Sequence, residues 1–373
     1  MRQSHRFLLV LFIAFFFVAC ASNGGHYSPL PLETTPAQRQ AHLVAELDRI
    51  LDVRQSASQA GVSVIVRKDG VVVYNRSKGM ADIKTDAPIT FDTSFELASV
   101  SKPITAIAVM QLMERGLLNL NDSVLKWLPE LPMTWHNITI KYLLSHRAGI
   151  PGFAQDMSIE SFQTLDGVDN QKIVQHFVNN DGLLFLPGID AYYSNSNYVF
   201  LAEIIARSSG MSYSQYLNDN IFLPLGMYST FVYGIVPPVD TIVALNYGSD
   251  SKVFGITLAM VGPYGIHSSA SDLILLVDGL LSEKLVMKET LRLMTSPHSG
   301  VVVPDDFYGY GWYVSPKKNG LAVFMHSGES DGFRTSIKVN YQKGVDYVIL
   351  GNNGDRTKKI IDSIFWVVLN TYE

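Results

Sequence analysis

The chain has 373 residues, 47% of them hydrophobic and 17% charged, which is typical of a globular protein with a large buried core. Its formal net charge of −5 excludes the basic surface that nucleic-acid binding requires. Its single cysteine excludes intramolecular disulfides and cysteine-based metal sites. We expect one unit of two subdomains, and the sequence implies no metal ion, no cofactor and no protein partner.

The N-terminus has the pattern of a secretion signal over residues 1–19. Basic residues precede an unbroken apolar stretch at residues 7–19, which is too short to span a bilayer comfortably but is typical of a signal peptide. The next residue is Cys20, the only cysteine. This arrangement resembles a bacterial lipoprotein signal, in which the cysteine is lipidated and becomes the mature N-terminus. The alternative is an ordinary signal peptide with a coincidental cysteine, and Phe17 departs from the usual aliphatic residue.

Residues 20–35 contain Ser, Asn, Gly, Thr and Pro, and we interpret them as a flexible lipidated tether. We therefore expect a lipoprotein that is anchored to a bacterial membrane through Cys20 and faces the periplasm. Ala21 and Ser22 lack the aspartate that typically retains such proteins at the inner membrane, which favours the outer membrane.

Local patterns predict the first elements of the folded part. Thr35 and Pro36 look like a helix N-cap and a first helical residue, and the apolar spacing continues to about residue 56. Residues 62–67 and 71–74 alternate around a Lys-Asp-Gly turn, which predicts a β-hairpin. A second helix follows the polar turn at residues 99–102 and ends at Gly116.

The predicted secondary structure of the remaining chain changes once, from helices to strands. From residue 119 to about 260 it is mostly helical with short loops, and a further helix is predicted at residues 272–281. After Pro304 the pattern becomes that of strands, and the chain ends in an amphipathic helix at residues 357–369. The predicted strands lie at residues 308–314, 321–326, 333–341 and 345–351.

This order predicts an α+β fold in a single domain, residues 36–373. The two ends of the chain, about 36–98 and 304–373, would form one antiparallel sheet flanked by the N- and C-terminal helices. Residues 99–303 would form a mostly helical lobe, with a site in the cleft between the lobes.

A Ser-x-x-Lys motif opens the second helix. Ser99 and Lys102 are three residues apart, so their side chains lie on one face of the helix N-terminus. A serine hydroxyl is a poor nucleophile until a base removes its proton, and a partly buried lysine with a lowered pKa can be that base. The motif occurs four times, at Ser99, Ser123, Ser249 and Ser315, and only the first opens a long apolar helix. The alternative is that Ser99 or Ser101 caps the helix and Lys102 is solvated.

Two further segments strengthen the interpretation of Ser99 as a nucleophile. Tyr193-Ser-Asn195 immediately precedes a predicted helix, and His326-Ser-Gly328 ends a predicted strand. Together with Ser99 and Lys102, they resemble the Ser-x-x-Lys, Tyr-x-Asn and Lys/His-x-Gly motifs of the serine β-lactamase and penicillin-binding-protein superfamily. The Tyr-x-Asn form is that of the class C β-lactamase-like branch. The resemblance covers nearly the whole chain after the tether, with the motifs in the right order.

The resemblance implies a role for each motif residue. Ser99 would attack a carbonyl and form an acyl-enzyme, while Lys102 and Tyr193 would share proton transfer, with the phenol kept anionic or readily deprotonated. Which of the two is the general base stays open. Asn195 would hydrogen-bond the lysine or a substrate amide, and the oxyanion hole would be the backbone N–H groups of Ser99 and Glu329.

Simpler interpretations exist for some of these residues. Tyr193 and Asn195 could be an aromatic residue and a cap at a helix start, and His326 could be a buried strand histidine. His146 and His267 are interpreted as structural because both lie near predicted helix ends. Ser330 lies in a Gly-x-Ser-x-Gly sequence like that of α/β-hydrolases, but the pattern after it predicts a strand where a nucleophile elbow needs a helix.

The third motif bears on the substrate, a small molecule or peptide with a reactive acyl group. Lactam-cleaving and carboxypeptidase relatives usually carry lysine there, whereas His326 is mostly neutral at pH 7 and Glu329 adds negative charge. Arg334 is a candidate replacement cation. We therefore expect an acyl-transfer hydrolase acting on an ester or amide. The alternatives are a D-alanyl-D-alanine carboxypeptidase or β-lactamase, and a non-catalytic envelope binding protein.

Overall fold

The computed structural model describes residues 34–157, 167–235, 237–248, 259–303, 306–317, 320–330 and 332–372. The predicted signal segment and Cys20 lie outside the described residues. Within the described part of the chain, no helix combines the length and apolarity that crossing a bilayer requires.

The strands, numbered along the chain, are β1 (Val62–Lys68), β2 (Val71–Lys78), β3 (Met80–Asp82), β4 (Ala87–Pro88), β5 (Phe95–Glu96), β6 (Phe231–Val232), β7 (Ile266–Ser268), β8 (Val301–Val303), β9 (Asp306–Tyr308), β10 (Tyr313–Lys317), β11 (Gly320–Glu329), β12 (Arg334–Asn340) and β13 (Val345–Gly351).

The helices are α1 (Pro36–Arg54), α2 (Ser101–Glu114), α3 (Val124–Trp127), α4 (Ile140–Leu144), α5 (Phe153–Asp156), α6 (Asn170–Val178), α7 (Asn195–Ser209), α8 (Tyr213–Leu217), α9 (Leu223–Leu225), α10 (Ala270–Leu281), α11 (Lys288–Met294) and α12 (Gly354–Tyr372).

The main sheet has eight strands in the order β2-β1-β13-β12-β11-β10-β9-β8, and every neighbouring pair is antiparallel. The N-terminal hairpin therefore pairs with the last strand of the chain, with Val62 opposite Gly351. This pairing makes the two ends of the sequence one structural layer and leaves the segment between them to form helices.

The sheet separates two apolar cores. On one face, alternate residues of β1 (Val62, Val64 and Val66) pack with Leu47 of α1 and Ile360 of α12. The other face belongs to a larger core that includes the buried residues of α2, α7 and α10. Both faces of the central strands are covered, which explains why β13 is buried along its whole length.

The α+β fold with an antiparallel sheet is confirmed, and so are most predicted elements. Helix α1 begins at the predicted Thr35 cap, which forms a reciprocal capping box with Gln38. The predicted hairpin and the C-terminal helix are also present.

The prediction of one strand over residues 308–314 is wrong. The segment forms the end of β9 and the start of β10, joined by a turn. Gly311 has φ +84°, a conformation that favours glycine, and a Cβ there would lie 2.6 Å from the Cβ of Ala106 in α2. The chain breaks at this point because the turn packs directly on the central helix.

Candidate active site

Helix α2 lies in the interior of the molecule, and its N-terminus carries the Ser-x-x-Lys motif. Every residue from Ser101 to Leu112 is buried, so the helix is enclosed on all sides. A 3₁₀ turn at Ala98–Val100 precedes it and leaves Ser99 partly accessible. The residue at the helix N-cap is Val100, and no side-chain hydrogen bond caps the helix. The alternative that a serine caps α2 is therefore wrong.

Lys102 reaches back from α2 to the Ser99 hydroxyl. Its Nζ lies 2.8 Å from Ser99 Oγ and donates a second, longer hydrogen bond of 3.3 Å to the carbonyl oxygen of Pro263. Lys102 is fully buried, and burial lowers its pKa well below the usual value, although the nearby Glu96 carboxyl opposes the shift. The alternative of a solvated lysine is wrong, and the amine is placed to exchange a proton with Ser99.

The other Ser-x-x-Lys copies have different settings. Ser123 is the N-cap of α3, where its Oγ accepts a hydrogen bond from Leu125 N–H, and Ser315 lies within β10. Ser249 lies outside the described residues. Lys318 of the Ser315 copy also lies outside the described residues. Of the two copies whose serine and lysine are both described, Lys102 bonds its own serine, whereas Lys126 bonds Asp122.

Tyr193 approaches the same hydroxyl from the loop before α7. The Lys102 Nζ lies 4.9 Å from the centroid of the Tyr193 ring, and the Tyr193 phenol interacts with the Ser99 hydroxyl. Burial raises the pKa of Tyr193 well above its usual value, and Tyr313 adds to the shift. This direction favours a neutral phenol and is opposite to the anionic phenol that the resemblance implies.

His146 holds the segment that carries Tyr193. Its carbonyl oxygen accepts a hydrogen bond from Tyr192 N–H at 2.9 Å, and its Nδ1 accepts one from Ser194 N–H at 3.2 Å. The imidazole also packs against the phenol ring with 4.3 Å between centroids. His146 adopts φ +58°, which is uncommon for a residue other than glycine. It contacts the site directly, although its place at a helix end suggested a purely structural role.

Asn195 is the first residue of α7 and lies close to the serine. Its Nδ2 donates a hydrogen bond of 2.8 Å to the hydroxyl of Tyr264, whereas the resemblance implies a bond to the lysine or to substrate. Its Oδ1 is buried and has no hydrogen-bond partner among the described residues. The Asn195 amide therefore uses one of its two N–H groups in the bond to Tyr264, while its buried oxygen has no partner among the described residues.

His326 lies on the buried side of β11, beside the aromatic residues of the site. Its Nδ1 donates to the carbonyl oxygen of Ser327 at 2.8 Å, and its Nε2 accepts from the hydroxyl of Tyr308 at 3.0 Å. Burial lowers the pKa of His326 to about 3. The imidazole is therefore neutral at physiological pH, and it supplies no cation to a substrate.

Gly328 brings the end of β11 against the turn that carries Ser99. A Cβ at this position would lie 2.2 Å from the carbonyl oxygen of Leu97 and 3.0 Å from the Cβ of Ala98. Only glycine permits this approach, which places the backbone of Glu329 near that of Ser99. The first amides of a helical turn have no intrahelical partner, so the arrangement suits an oxyanion hole.

Glu329 and Arg334 face each other at the end of the β11–β12 hairpin. They are cross-strand neighbours, and their side chains form an ion pair. The Glu329 side chain is 66% exposed, whereas that of Arg334 is 15% exposed. The guanidinium named as the candidate replacement for a third-motif lysine is therefore already paired with a carboxylate.

Sequence reasoning missed two residues of the site, Glu96 and Tyr264. The buried Glu96 carboxylate accepts hydrogen bonds from Gly265 N–H at 3.3 Å and from Ser330 Oγ at 3.0 Å. It thereby connects the segment before Ser99 with the loops on two sides of the site. Neither residue belongs to a recognisable local pattern, and their proximity to Ser99 arises only from the tertiary fold.

The bond to Glu96 also accounts for Ser330. Strand β12 follows it after a short turn, so the Gly-x-Ser-x-Gly sequence lies in a hairpin and not in a strand–turn–helix elbow. Ser330 as nucleophile is therefore excluded by its setting.

Among the described residues, no cluster of three or more His, Cys, Asp or Glu side chains is arranged to hold a metal ion.

Comparisons with known proteins identify relatives that match most of the chain. The family model described as Beta-lactamase matches residues 43–363. Penicillin-binding protein 4* of Bacillus subtilis is 30% identical over 81% of this chain and 70% of its own length. The octameric penicillin-binding protein homologue of Pyrococcus abyssi superposes with a TM-score of 0.75 at 24% identity, covering 90% of this chain and 77% of that one.

A D-amino acid amidase from Ochrobactrum anthropi has the same fold, with a TM-score of 0.70 at 22% identity over 87% of this chain and 99% of that chain. Because the family model spans most of the sequence, the assignment does not depend on a few motif residues. The chain belongs to the β-lactamase family of serine hydrolases, together with penicillin-binding proteins.

Proposed function

We propose that this protein is an envelope-associated serine hydrolase of the class C branch that cleaves an ester or amide through an acyl-enzyme on Ser99. One observation carries the proposal: the Nζ of the fully buried Lys102 lies 2.8 Å from Ser99 Oγ. Burial favours the neutral amine, and a neutral amine at hydrogen-bonding distance can accept the serine proton as the hydroxyl attacks.

The steps follow from the positions of the groups. Ser99 Oγ forms a bond to the substrate carbonyl carbon while its proton passes to Lys102 Nζ. The resulting oxyanion is bound by the N–H groups of Ser99 and Glu329. Collapse expels the alcohol or amine, which takes a proton from Lys102 directly or through Tyr193. Water then attacks the acyl-enzyme by the same route in reverse, and the acid leaves.

Lys102 is the better candidate for the general base. Burial acts on the two groups in opposite senses, since it makes the lysine easier to keep neutral and the phenol harder to ionise. A neutral lysine is a base, whereas a neutral phenol is a proton donor. We therefore assign proton abstraction to Lys102 and proton delivery to Tyr193.

The charges around the third motif, His326-Ser-Gly328, favour a substrate that places no carboxylate beside this motif. The two third-motif groups that could be cations are His326, which is neutral, and Arg334, which is paired with Glu329. A carboxylate placed there would lie near an exposed negative charge. A neutral ester or amide meets no such penalty.

A second candidate is a D-alanyl-D-alanine carboxypeptidase or β-lactamase. The similarity to Penicillin-binding protein 4*, which by its name binds penicillin, supports this candidate. A third candidate, a non-catalytic envelope binding protein, conflicts with the complete Ser99–Lys102–Tyr193 constellation.

One experiment separates the three. Purified protein is incubated with a fluorophosphonate probe and, separately, with a fluorescent penicillin, and the labelled peptide is identified by mass spectrometry. We expect fast fluorophosphonate labelling at Ser99 and slow or no penicillin labelling. Comparable labelling by both would support the second candidate, and labelling by neither would support the third.

The envelope location rests on the N-terminal sequence alone. A Cys20→Ser variant should no longer fractionate with membranes, or should accumulate as an uncleaved precursor. Fractionation identical to that of the wild type would contradict the lipid anchor.

A further inference from the structure

We propose that Glu96 is a positioning residue that fixes the two N–H groups of the oxyanion hole relative to each other. This inference rests on the proposed acyl-enzyme at Ser99 and adds a residue outside the reacting groups. Glu96 lies in β5, and it is only 7% exposed. The steps proposed for the reaction give its buried carboxyl group no role.

The Glu96 carboxyl group is bonded next to each of the two oxyanion donors. Its Oε2 accepts a hydrogen bond of 3.0 Å from Ser330 Oγ, and Ser330 directly follows Glu329. The Ala98 N–H interacts with the same carboxyl group, and Ala98 directly precedes Ser99. One side chain therefore ties the end of β11 to the turn that carries the nucleophile.

The turn that carries the nucleophile needs such a tie because its backbone is strained. Ala98 has φ +49°, in the left-handed region that residues other than glycine rarely adopt. A conformation of this kind persists only where the surrounding structure holds it. A hydrogen bond from the Ala98 N–H to a carboxylate is a strong contact of that sort.

The carboxyl group of Glu96 is itself held from a third side. Its Oε1 accepts a hydrogen bond from Gly265 N–H at 3.3 Å, and the Glu96 backbone pairs with His267 of β7. These bonds fix the side chain, so its oxygens can set the places of two separate backbone segments. An oxyanion hole works only when both donors are aimed in advance at the position that the oxyanion will occupy.

A displaced oxyanion donor weakens binding of the transition state more than binding of the substrate, so kcat falls and KM changes little. The loss also depends on the atom that the hole binds. Sulfur is a weaker hydrogen-bond acceptor than oxygen, so a thionoester, with C=S in place of C=O, gains less from the hole. The ratio of the rates for an ester and its thionoester therefore reports on the oxyanion hole. Damage to the base Lys102, or a change in the charge around it, alters both rates alike.

The test measures kcat and KM for p-nitrophenyl acetate and its thionoacetate analogue, which release the same leaving group. We expect Glu96→Ala to lower kcat for the oxygen ester by about 10²-fold, as the loss of one oxyanion donor does. The ratio of kcat/KM for the two esters should fall by about tenfold, because the thionoester loses less. Glu96→Gln should stay within about threefold of wild type, because an amide oxygen can accept from a backbone N–H while the amide nitrogen donates to Ser330 Oγ.

Ser330→Ala removes only the bond on the side of Glu329. We expect it to lower the ester ratio by about threefold in the wild-type background and to leave the ratio unchanged in the Glu96→Ala background. Glu46→Ala is the matched control, because Glu46 is also a buried glutamate but lies in α1 and pairs with Arg49. It should leave the rates for both esters unchanged.

An ester ratio that neither Glu96→Ala nor Ser330→Ala changes overturns the inference. A Glu96→Gln variant as impaired as Glu96→Ala also overturns it, because the effect would then come from the charge of Glu96 and not from its bonds. Ser330→Ala retains the Glu96 side chain, so the test stays decisive even if Glu96→Ala does not fold.

Failure of the proposed function is recognised separately. If wild-type protein hydrolyses neither ester and fluorophosphonate leaves Ser99 unlabelled, the acyl-enzyme proposal fails and the role of Glu96 falls with it. If wild-type protein is labelled at Ser99 and turns over the oxygen ester, but the ratio ignores Glu96 and Ser330, only the positioning role fails.

Discussion

The site lies between two sides of different character: the α2 wall, formed by Ser99 and Lys102, and the β11 wall, formed by His326, Gly328 and Glu329. Each wall buries one residue of a type that can carry a positive charge, and burial has opposite consequences for the function of the two. At the α2 wall, Lys102 is fully buried beside Ser99, and burial makes its amine available as a base. At the β11 wall, His326 is equally buried, and burial keeps its imidazole neutral and bonded to Tyr308. The first wall gains reactivity from desolvation, and the second loses the charge that would hold a carboxylate. Under the proposed function, the same physical effect acting on different side chains would set both the chemistry and the substrate preference.

Removing the nucleophile should have the largest effect. We expect Ser99→Ala to lower ester hydrolysis at least about 10⁴-fold with no loss of fold, because the hydroxyl reacts but contributes little to packing. The measurement is kcat/KM for a p-nitrophenyl ester, with circular dichroism as a check of the fold.

Ser123→Ala is the matched control because Ser123 begins another Ser-x-x-Lys copy but only caps α3. It should cost about 1 kcal/mol of stability and leave the rate unchanged. Substantial turnover by Ser99→Ala would contradict the assignment of the nucleophile.

Next in size are the two proton-transfer groups of the α2 wall. We expect Lys102→Met to cost about 10³–10⁴-fold in kcat/KM and Tyr193→Phe about 10²-fold, since only the first loses the base that activates Ser99. Rates of Ser99 labelling by a fluorophosphonate isolate the acylation step. A larger loss for Tyr193→Phe than for Lys102→Met would reverse the assignment of the base.

How far the sequence predicts this site depends on whether a residue belongs to a local pattern. Ser99 and Lys102 are three residues apart at a helix start, and Tyr193 immediately precedes another helix, so short motifs locate all three. Glu96 and Tyr264 come together only because β5 and β7 pair in a small sheet of two- and three-residue strands. Such strands are too short to show alternation, and no pattern in the sequence indicates that they meet.

The elements of the fold could likewise be predicted where their signals are local in the sequence. The capping box of α1 and the β1–β2 turn are local signals, and both elements formed where predicted. The break after Tyr308 depends on the surface of α2 that Gly311 contacts, which a local pattern cannot contain. Similarly, the neutrality of His326 follows from burial by side chains of other strands.

The β11 wall makes a prediction about stability and pH. The pKa of His326 is lowered to about 3 in the folded protein, below the roughly 6.5 of an unfolded histidine. The unfolded chain therefore binds the proton first as the pH falls, and stability is lost between about pH 6.5 and pH 3. Between pH 7 and pH 4.5 this residue should account for about 2–3 kcal/mol of that loss.

Urea denaturation of His326→Gln at the two pH values measures this contribution. The variant is expected to be less stable at pH 7, because the bond to Tyr308 changes, but to lose less stability on acidification than wild type. Equal losses in both proteins would mean that His326 is not held neutral by the fold.

The smallest expected effect concerns the charge at the rim of the β11 wall, and it tests whether pairing is what withholds a cation from the substrate. Glu329→Gln keeps the backbone N–H of the oxyanion hole but releases Arg334 from its ion pair. A free guanidinium can then attract a carboxylate, so the acylation rate for penicillin relative to a neutral ester should rise about two- to fivefold, an effect limited by the exposure of the site. Arg334→Gln should not raise the ratio, and Glu329→Gln should lose its advantage in an Arg334→Gln background. If the ratio rises equally with and without Arg334, removing the negative charge of Glu329 is sufficient. The β11 wall would then disfavour a substrate carboxylate because Glu329 repels it, and not because Arg334 is held in an ion pair.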